Sequence, residues 1–294
     1  MKSGFVSLVG RPNVGKSTLM NHLLERHIAI TSNKPQTTRN MIQGIYNDDE
    51  AQIVFVDTPG IHKPTHKLGS YLNKEAYYSM DDVDILLFLV DASMPLGPGD
   101  KYIIERLKQT DKLVFLILNK IDKLTKEQIM NKIQEYMVLY PFQEIIPVSA
   151  LKDDNLDTLL KVIKSYLKEG ICYYGKEDVT NQSTEFVLAE MIREKVFRLT
   201  EEEIPHSVAC IIESVEKKKN SVTIYANIIT DRDSVKRIIV GANGQMIKKI
   251  GTYAREDMEE MLGKKVYLNL FVKVIKNWRD KEKYLKEFGY QDFD

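Results

Sequence analysis

Short apolar runs and amphipathic segments alternate through the first 170 residues. FVSLV (Phe5–Val9), IVFVD (Ile53–Asp57), ILLFLVD (Ile85–Asp91), LVFLILN (Leu113–Asn119) and IIPVS (Ile145–Ser149) are rich in β-branched residues and too short for free-standing helices. They predict buried strands. Segments 16–25, 67–80, 100–110, 125–140 and 154–168 between them carry helical spacing. Strands alternating with helices build βαβ units, giving an α/β domain with a mostly parallel sheet and helices on both faces. In such sheets ligands lie beyond the carboxyl ends of the strands, which is where the informative residues should fall.

The stretch Ile171–Asn181 breaks both periods and reads as a linker between a domain at 1–170 and another at 182–294. Beyond it the spacing predicts a helix over Thr184–Arg198, then the alternating runs SVACIIESVE and SVTIYANIIT, which flank KKKN as a hairpin. A short helix (Asp231–Ile239), the turn GANG, a longer helix (Gln245–Leu262), a strand (Lys265–Lys276) and a final helix from about Asp280 complete an α+β unit.

Composition narrows the picture. The 294 residues suffice for two domains with separate cores, and 43% hydrophobic with 29% charged residues is a globular balance. Lys+Arg and Asp+Glu are both 42, so any nucleic-acid site must be a local patch. Two isolated cysteines, Cys172 and Cys210, without CxxC spacing argue against a disulfide framework or zinc site and for a reducing compartment. MKSGFVSLVG runs straight into the first motif and leaves no room for a signal peptide, and no apolar run approaches the ~20 residues of a spanning helix. The expected location is the cytoplasm, the expected state a monomer.

Gly10-Arg11-Pro12-Asn13-Val14-Gly15-Lys16-Ser17 fits GxxxxGK[ST] after a strand and before a helix, with Thr18 continuing the helix. The glycines let successive N–H groups converge on phosphate oxygens. Lys16 would reach the β- and γ-phosphates, and the Ser17 hydroxyl would ligate Mg²⁺. Asp57-Thr58-Pro59-Gly60 ends another strand, placing a carboxylate for the Mg²⁺ shell and the Gly60 N–H for the γ-phosphate. Between them lies the polar loop Pro35-Gln36-Thr37-Thr38-Arg39. A threonine there would complete the metal shell and sense the γ-phosphate; Thr38, which immediately precedes Arg39, is preferred to Thr37 by resemblance to the register of other phosphate-loop switch proteins.

Asn119-Lys120-Ile121-Asp122 follows LVFLILN. The Asp122 carboxylate can accept from N1–H and the 2-amino group of guanine, donors that adenine lacks. Sites built this way discriminate by about 10⁴–10⁵. Asn119 would support the loop, the Lys120 stem would cover the base, and Ser149-Ala150-Leu151 would bring the Ala150 N–H to guanine O6. Four motifs in order, each at a strand's carboxyl end, predict a guanine-nucleotide site and GTP hydrolysis. In Ras-like enzymes a glutamine after the glycine of DxxG orients the attacking water; Ile61 stands here, which predicts slow intrinsic turnover. Lys16, Asn13, Thr38 and Gly60 remain as the catalytic set. In related GTPases with an apolar residue at this position, the asparagine matching Asn13 holds a monovalent cation, so K⁺ is a candidate cofactor beside Mg²⁺. His62 and His66 read as exposed loop residues.

Val240-Gly241-Ala242-Asn243-Gly244 joins two predicted helices as a GxxG turn, with Ile247 and Ile250 as a candidate apolar floor and Arg237, Lys248 and Lys249 as local cations. An α–β–β–α–GxxG–α–β order is that of a type II KH domain, whose turn grips about four nucleotides of single-stranded RNA. Ala242 and Asn243 bring no basic side chain, so main-chain N–H groups and the lysines would have to meet phosphates.

From GRPNVGKSTLMN through KPQTTR, DTPGIHKP and NKID to IREK, VGANGQMIKKIG and KVIKNW, the chain resembles the Era-type family of bacterial GTPases with a C-terminal KH domain. The resemblance implies binding to the 3′ end of 16S rRNA, assistance to 30S-subunit maturation, and, as in some members, peripheral association with the inner membrane. Rival readings are a GTPase of tRNA modification or large-subunit assembly, which would carry two G domains or another C-terminal module, and an RNA-binding scaffold that holds nucleotide without turnover.

Overall fold

The computed structural model describes residues 1–31, 37–61, 66–201 and 204–290. Pro35, Gln36 and His62 lie outside the described residues. The chain divides into two compact units, Met1–Pro64 with Leu72–Asn181, and Thr65–Tyr71 with Gln182–Asp294.

In the first unit, β1 (Lys2–Val9), β3 (Ala51–Asp57), β4 (Ile85–Asp91), β5 (Leu113–Asn119) and β6 (Glu144–Pro147) are the five predicted strands. The helices are α1 (Lys16–Leu24), α2 (Lys67–Asp81, whose first residues, up to Tyr71, belong to the second unit), α3 (Pro98–Leu107), α4 (Lys126–Met137) and α5 (Leu156–Tyr166). A sixth strand, β2 (Ile42–Asn47), was not legible as a run, because Gln43, Gly44 and Asn47 interrupt its apolar positions. It pairs antiparallel with β3 at the edge of a sheet ordered β2-β3-β1-β4-β5-β6, whose other pairs are parallel. Gly44 lets α1 pack close: a Cβ there would lie 2.4 Å from the Leu24 side chain. Every residue of β3 and the first six of β4 are buried, as expected of strands covered on both faces. Because the parallel strands all end at one rim, the loops after β1, β3, β5 and β6 meet there.

Residues 171–181, expected as a linker, form a strap along β2 and β3. The fully buried Gln52 accepts from the Tyr173 and Tyr174 amides at 2.6 and 3.0 Å and donates to the Tyr174 carbonyl at 2.9 Å. The Tyr174 hydroxyl and Thr180 hydroxyl bond Gln43, and the Ile45 amide donates to the Val179 carbonyl. The strap covers a sheet edge that would otherwise present unpaired groups.

The second unit carries α6 (Thr184–Leu199), β7 (Val208–Lys217), β8 (Ser221–Thr230), α7 (Asp233–Val240), α8 (Gln245–Leu262), β9 (Lys265–Val274) and α9 (Glu282–Glu287). β7 and β8 pair antiparallel and β8 and β9 parallel. Val222, Ile224, Ala226 and Ile228 of β8 point into one core with Ile250, Ala254 and Met258 of α8. Among the described residues no helix is long and apolar enough to cross a membrane.

Gln52→Ala should free the strap. Limited proteolysis should then cut within 171–181 where the parent resists, and urea denaturation should show the first unit weakened by about 1–3 kcal/mol, the usual loss when buried polar groups go unpaired.

Candidate nucleotide and RNA sites

The turn between β1 and α1 is held in a conformation that its residue types allow. Gly15 has φ +101° and Asn13 φ 65°, both left-handed. A Cβ on Gly15 would stand 2.3 Å from Asn119 Nδ2, so the glycine is needed for space as well as for φ. Gly60 is likewise pressed on the turn, with a Cβ there 2.6 Å from Pro12 N. The result is a cavity of about 410 Å³, lined by Pro12, Asn13, Gly15, Lys16, Ser17 and Thr18 from the turn and helix, Thr37, Thr38 and Gly60 from the next loops, and Asn119, Lys120, Asp122, Ala150 and Leu151 from the far rim. Gly10, Arg11, Val14, Thr58, Pro59 and Ser149 are not among the residues that line this cavity. Val14 is a core residue, Thr58 donates to the Leu8 carbonyl, and Arg11 turns its side chain to the fully buried Asp100 at 2.8 Å.

At the phosphate end Lys16 Nζ donates to the Gly10 and Arg11 carbonyls at 3.3 and 3.2 Å. Burial lowers its pKa to about 8, against the opposing pull of Asp57. The Ser17 hydroxyl donates to Asp57 Oδ2 at 2.5 Å, the Thr38 hydroxyl to the same atom at 3.1 Å, and the two hydroxyls lie 2.8 Å apart. Asp57 is fully buried, and its Oδ1 has no hydrogen-bond partner among the described residues. Burial raises its pKa, though Lys16, Ser17 and Thr38 act the other way. An all-oxygen donor set with an orphaned carboxylate oxygen fits a hard cation such as Mg²⁺. Thr38 is the threonine that meets Ser17 and Asp57; Thr37 lines the cavity beside it. Ile61 packs into the apolar core with Val9 and Phe88 and turns no polar group toward the phosphates. The His66 side chain is exposed.

The base end is organised by Asn119, whose Nδ2 donates to the Val14 carbonyl and whose Oδ1 accepts from the Lys120 and Ala150 amides at 2.8 and 3.0 Å. The Ala150 N–H, expected at guanine O6, is thus engaged by Asn119 here. Asp122 Oδ1 accepts from Ser149 at 2.6 Å, which aims the carboxylate across the cavity. Sequence reasoning passed over Asp91, at the end of β4, which takes Lys120 Nζ at 2.7 Å while that ammonium also donates to the Asn13 carbonyl at 2.8 Å.

In the second unit Gly241 (φ 74°), Asn243 (φ 50°) and Gly244 (φ 75°) form a left-handed turn feeding α8. A Cβ on Gly241 would lie 2.7 Å from that of Met246. Beside the turn runs a groove of about 330 Å³ lined by Ile247, Lys248, Gly251, Thr252, Arg255, Leu268 and Leu270. Ile250, expected on the groove floor, is instead fully buried in the core. Helix periodicity is the reason: 247, 251 and 255 share one face, whereas 250, 254 and 258 share another. The apolar floor comes from Ile247 with Leu268 and Leu270 of β9. Lys249 lies against Tyr253, and Arg237 is exposed on α7; neither lines the groove.

A profile described as "50S ribosome-binding GTPase" matches residues 5–120, and a KH-domain profile matches residues 203–279. Two solved structures match at TM-score 0.96 and 41% identity, each pair covering 99% of both chains: Era in complex with MgGDPNP and nucleotides 1506–1542 of 16S ribosomal RNA, and a variant of Aquifex aeolicus Era bound to GDP and aluminium fluoride. The chain belongs to the Era family. It is therefore a GTPase, with a Ras-like nucleotide domain followed by a KH domain. The rivals with two G domains or a different C-terminal module fall away, and so does a scaffold without turnover.

Gly15→Ala should force a methyl into the space that Asn119 occupies and strain a left-handed residue by about 1–2 kcal/mol. Calorimetric titration of GDP should show at least about tenfold weaker binding, while circular dichroism reports an intact fold.

Proposed function

We propose that the protein is a GTP-operated switch that binds the 3′ end of 16S rRNA through the groove beside Gly241–Gly244 and assists maturation of the 30S subunit. The supporting observation is that one chain joins the guanine-nucleotide cavity to a GxxG groove with an apolar floor. Era, similar over nearly its whole length, has been solved with both MgGDPNP and a 16S rRNA segment. The RNA partner argues for action in the cytoplasm.

Ser17, Thr38 and Asp57 would hold Mg²⁺, which supplies positive charge against the phosphates when bound. Lys16, already inside the cavity, neutralises the bridging and terminal oxygens. The backbone N–H groups of the β1–α1 turn and of Gly60 fix the phosphate chain so that little reorganisation accompanies phosphoryl transfer. Thr38 reports the presence of the γ-phosphate to the loop that precedes β2. Asp122 selects guanine. Ile61 is withdrawn into the core, so no side chain at that position orients water. Asn13 is the candidate holder of a monovalent cation, and exchanging K⁺ for Na⁺ should then slow phosphate release; an unchanged rate removes Asn13 from that role.

In the KH groove Ile247, Leu268 and Leu270 would receive bases, while Lys248 and the N–H groups of the turn meet phosphates. Filter binding of a 16S rRNA 3′-end oligonucleotide, compared with a scrambled one in the presence of GDPNP or GDP, tests the assignment. Equal retention of both sequences would refute it. Replacing Ala242 and Asn243 by aspartates should abolish RNA retention and leave GDP affinity unchanged. Asp122→Asn should shift preference from GTP towards xanthosine triphosphate, read by competition against labelled GDP.

A further inference from the structure

At the end of β4 Asp91 stands in register with Asn119 of β5, next to the residue that opens the base-reading loop. Its carboxylate is fixed from behind. Oδ1 accepts from the Ser93 amide at 3.1 Å and the Ser93 hydroxyl at 2.6 Å, and the Asp91 carbonyl accepts from the Met94 amide. Oδ2 is left for Lys120 Nζ at 2.7 Å. The pair is no loose surface contact, because the Asp91 side chain is only 13% exposed. Burial pushes the Asp91 pKa up, but the bonds from Lys120 and Ser93 and the Lys120 charge outweigh that and leave it below the ordinary carboxylate value.

Lys120 is itself an unusual residue. Its φ is 67°, and the carbonyl that its ammonium reaches belongs to Asn13, with φ 65°. Two left-handed non-glycine residues on opposite rims of the cavity are thus joined by one side chain, whose stem lines the cavity. Such conformations persist only when the surroundings hold them. A lysine ammonium alone, on a flexible four-carbon stem, is a poor rivet between two loops. Anchored by a carboxylate that cannot move, it becomes one.

We propose that Asp91 is a positioning residue for the nucleotide: by anchoring Lys120, it locks the base-reading loop to the phosphate loop at Asn13 and so sets how long guanine nucleotide stays bound. The contact lies on the base side of the site and touches no phosphate-binding group except through the Asn13 carbonyl. Its loss should therefore affect GDP and GTP alike, unlike a change at the Ser17–Asp57 end.

The test is dissociation of fluorescent GDP and GTP from the full-length protein. Asp91→Asn should accelerate release of both by about tenfold, the loss expected for one charge-assisted hydrogen bond, with the same Mg²⁺ midpoint as the parent. In a Lys120→Met background, Asp91→Asn should add nothing, since the residue it acts through is gone. Ser93→Ala, a milder change that loosens the Asp91 carboxylate, should accelerate release in the same direction by a smaller factor. A release rate within twofold of the parent for Asp91→Asn, or unequal effects on GDP and GTP, would overturn the proposal. So would a full additional effect in the Lys120→Met background, which would assign the aspartate a general structural role. Should Asp91→Asn not fold, parental release from Ser93→Ala would count against the proposal by itself.

Discussion

The nucleotide site depends on the side-chain amide of Asn119. One face of it donates to the Val14 carbonyl in the phosphate loop, and the other accepts from the amides of Lys120 and Ala150. Three loops from three strand ends are joined by a group 2% exposed. An amide carries both donors and an acceptor on one rigid plane, so no apolar or purely acidic residue could make all three bonds. A side chain on Gly15 would take the space that this amide occupies. Lys120 and Asp91 make a second connection to the phosphate loop, through charge rather than an amide.

Once the rims are joined, the chemistry follows from what is buried between them. Asp57 keeps one oxygen on two hydroxyls and the other without a partner among the described residues, in surroundings that disfavour its charge. That arrangement is unfavourable for an isolated carboxylate and favourable for one facing a cation. Ile61 lies on the other side of the same balance. The position that serves Ras-like enzymes as a water-orienting group has been given to the apolar core, so the proposed catalysis relies on positioned charge and main-chain N–H groups.

Much of this was legible in sequence because the functional residues sit at the ends of continuous apolar runs. β4, β5, β8 and α8 have the bounds that their patterns predict, and the four motifs fall on one rim. What was missed shares a different cause. β2 was hidden because edge pairing with β3 holds it rather than apolar content, and the strap at 171–181 lacks any period because the buried side chain of Gln52, far away in sequence, orders it. Ile250 was misplaced by reading two isoleucines three apart as one surface, when a helix face continues through 247, 251 and 255. Asp91 looked like the polar end of a strand; only the register of β4 against β5 brings it to Lys120. Long-range polar contacts leave no periodic trace.

The two sites use the same main-chain device to different ends. In each, a left-handed glycine turn precedes the N-terminus of a helix, α1 or α8, an arrangement able to receive phosphate. At Gly15 the space is closed by Asn119, the buried Lys16 donates to carbonyls of the turn, and Asn119, Lys120 and Asp122 line the far rim. At Gly244 a Cβ would meet nothing within 4 Å, Ala242 and Asn243 are exposed, and the neighbouring cation Lys248 lies at the surface. Enclosure strengthens each hydrogen bond and shields it from salt, whereas an open turn keeps its electrostatic contribution weak and screened. An enclosed turn suits a triphosphate that must be held until it is cleaved. An open one would suit a strand that is gripped and then let go: in a chain with no net charge, the proposed grip combines base-sized apolar contacts at Ile247, Leu268 and Leu270 with the local charge of Lys248 rather than a general attraction to RNA.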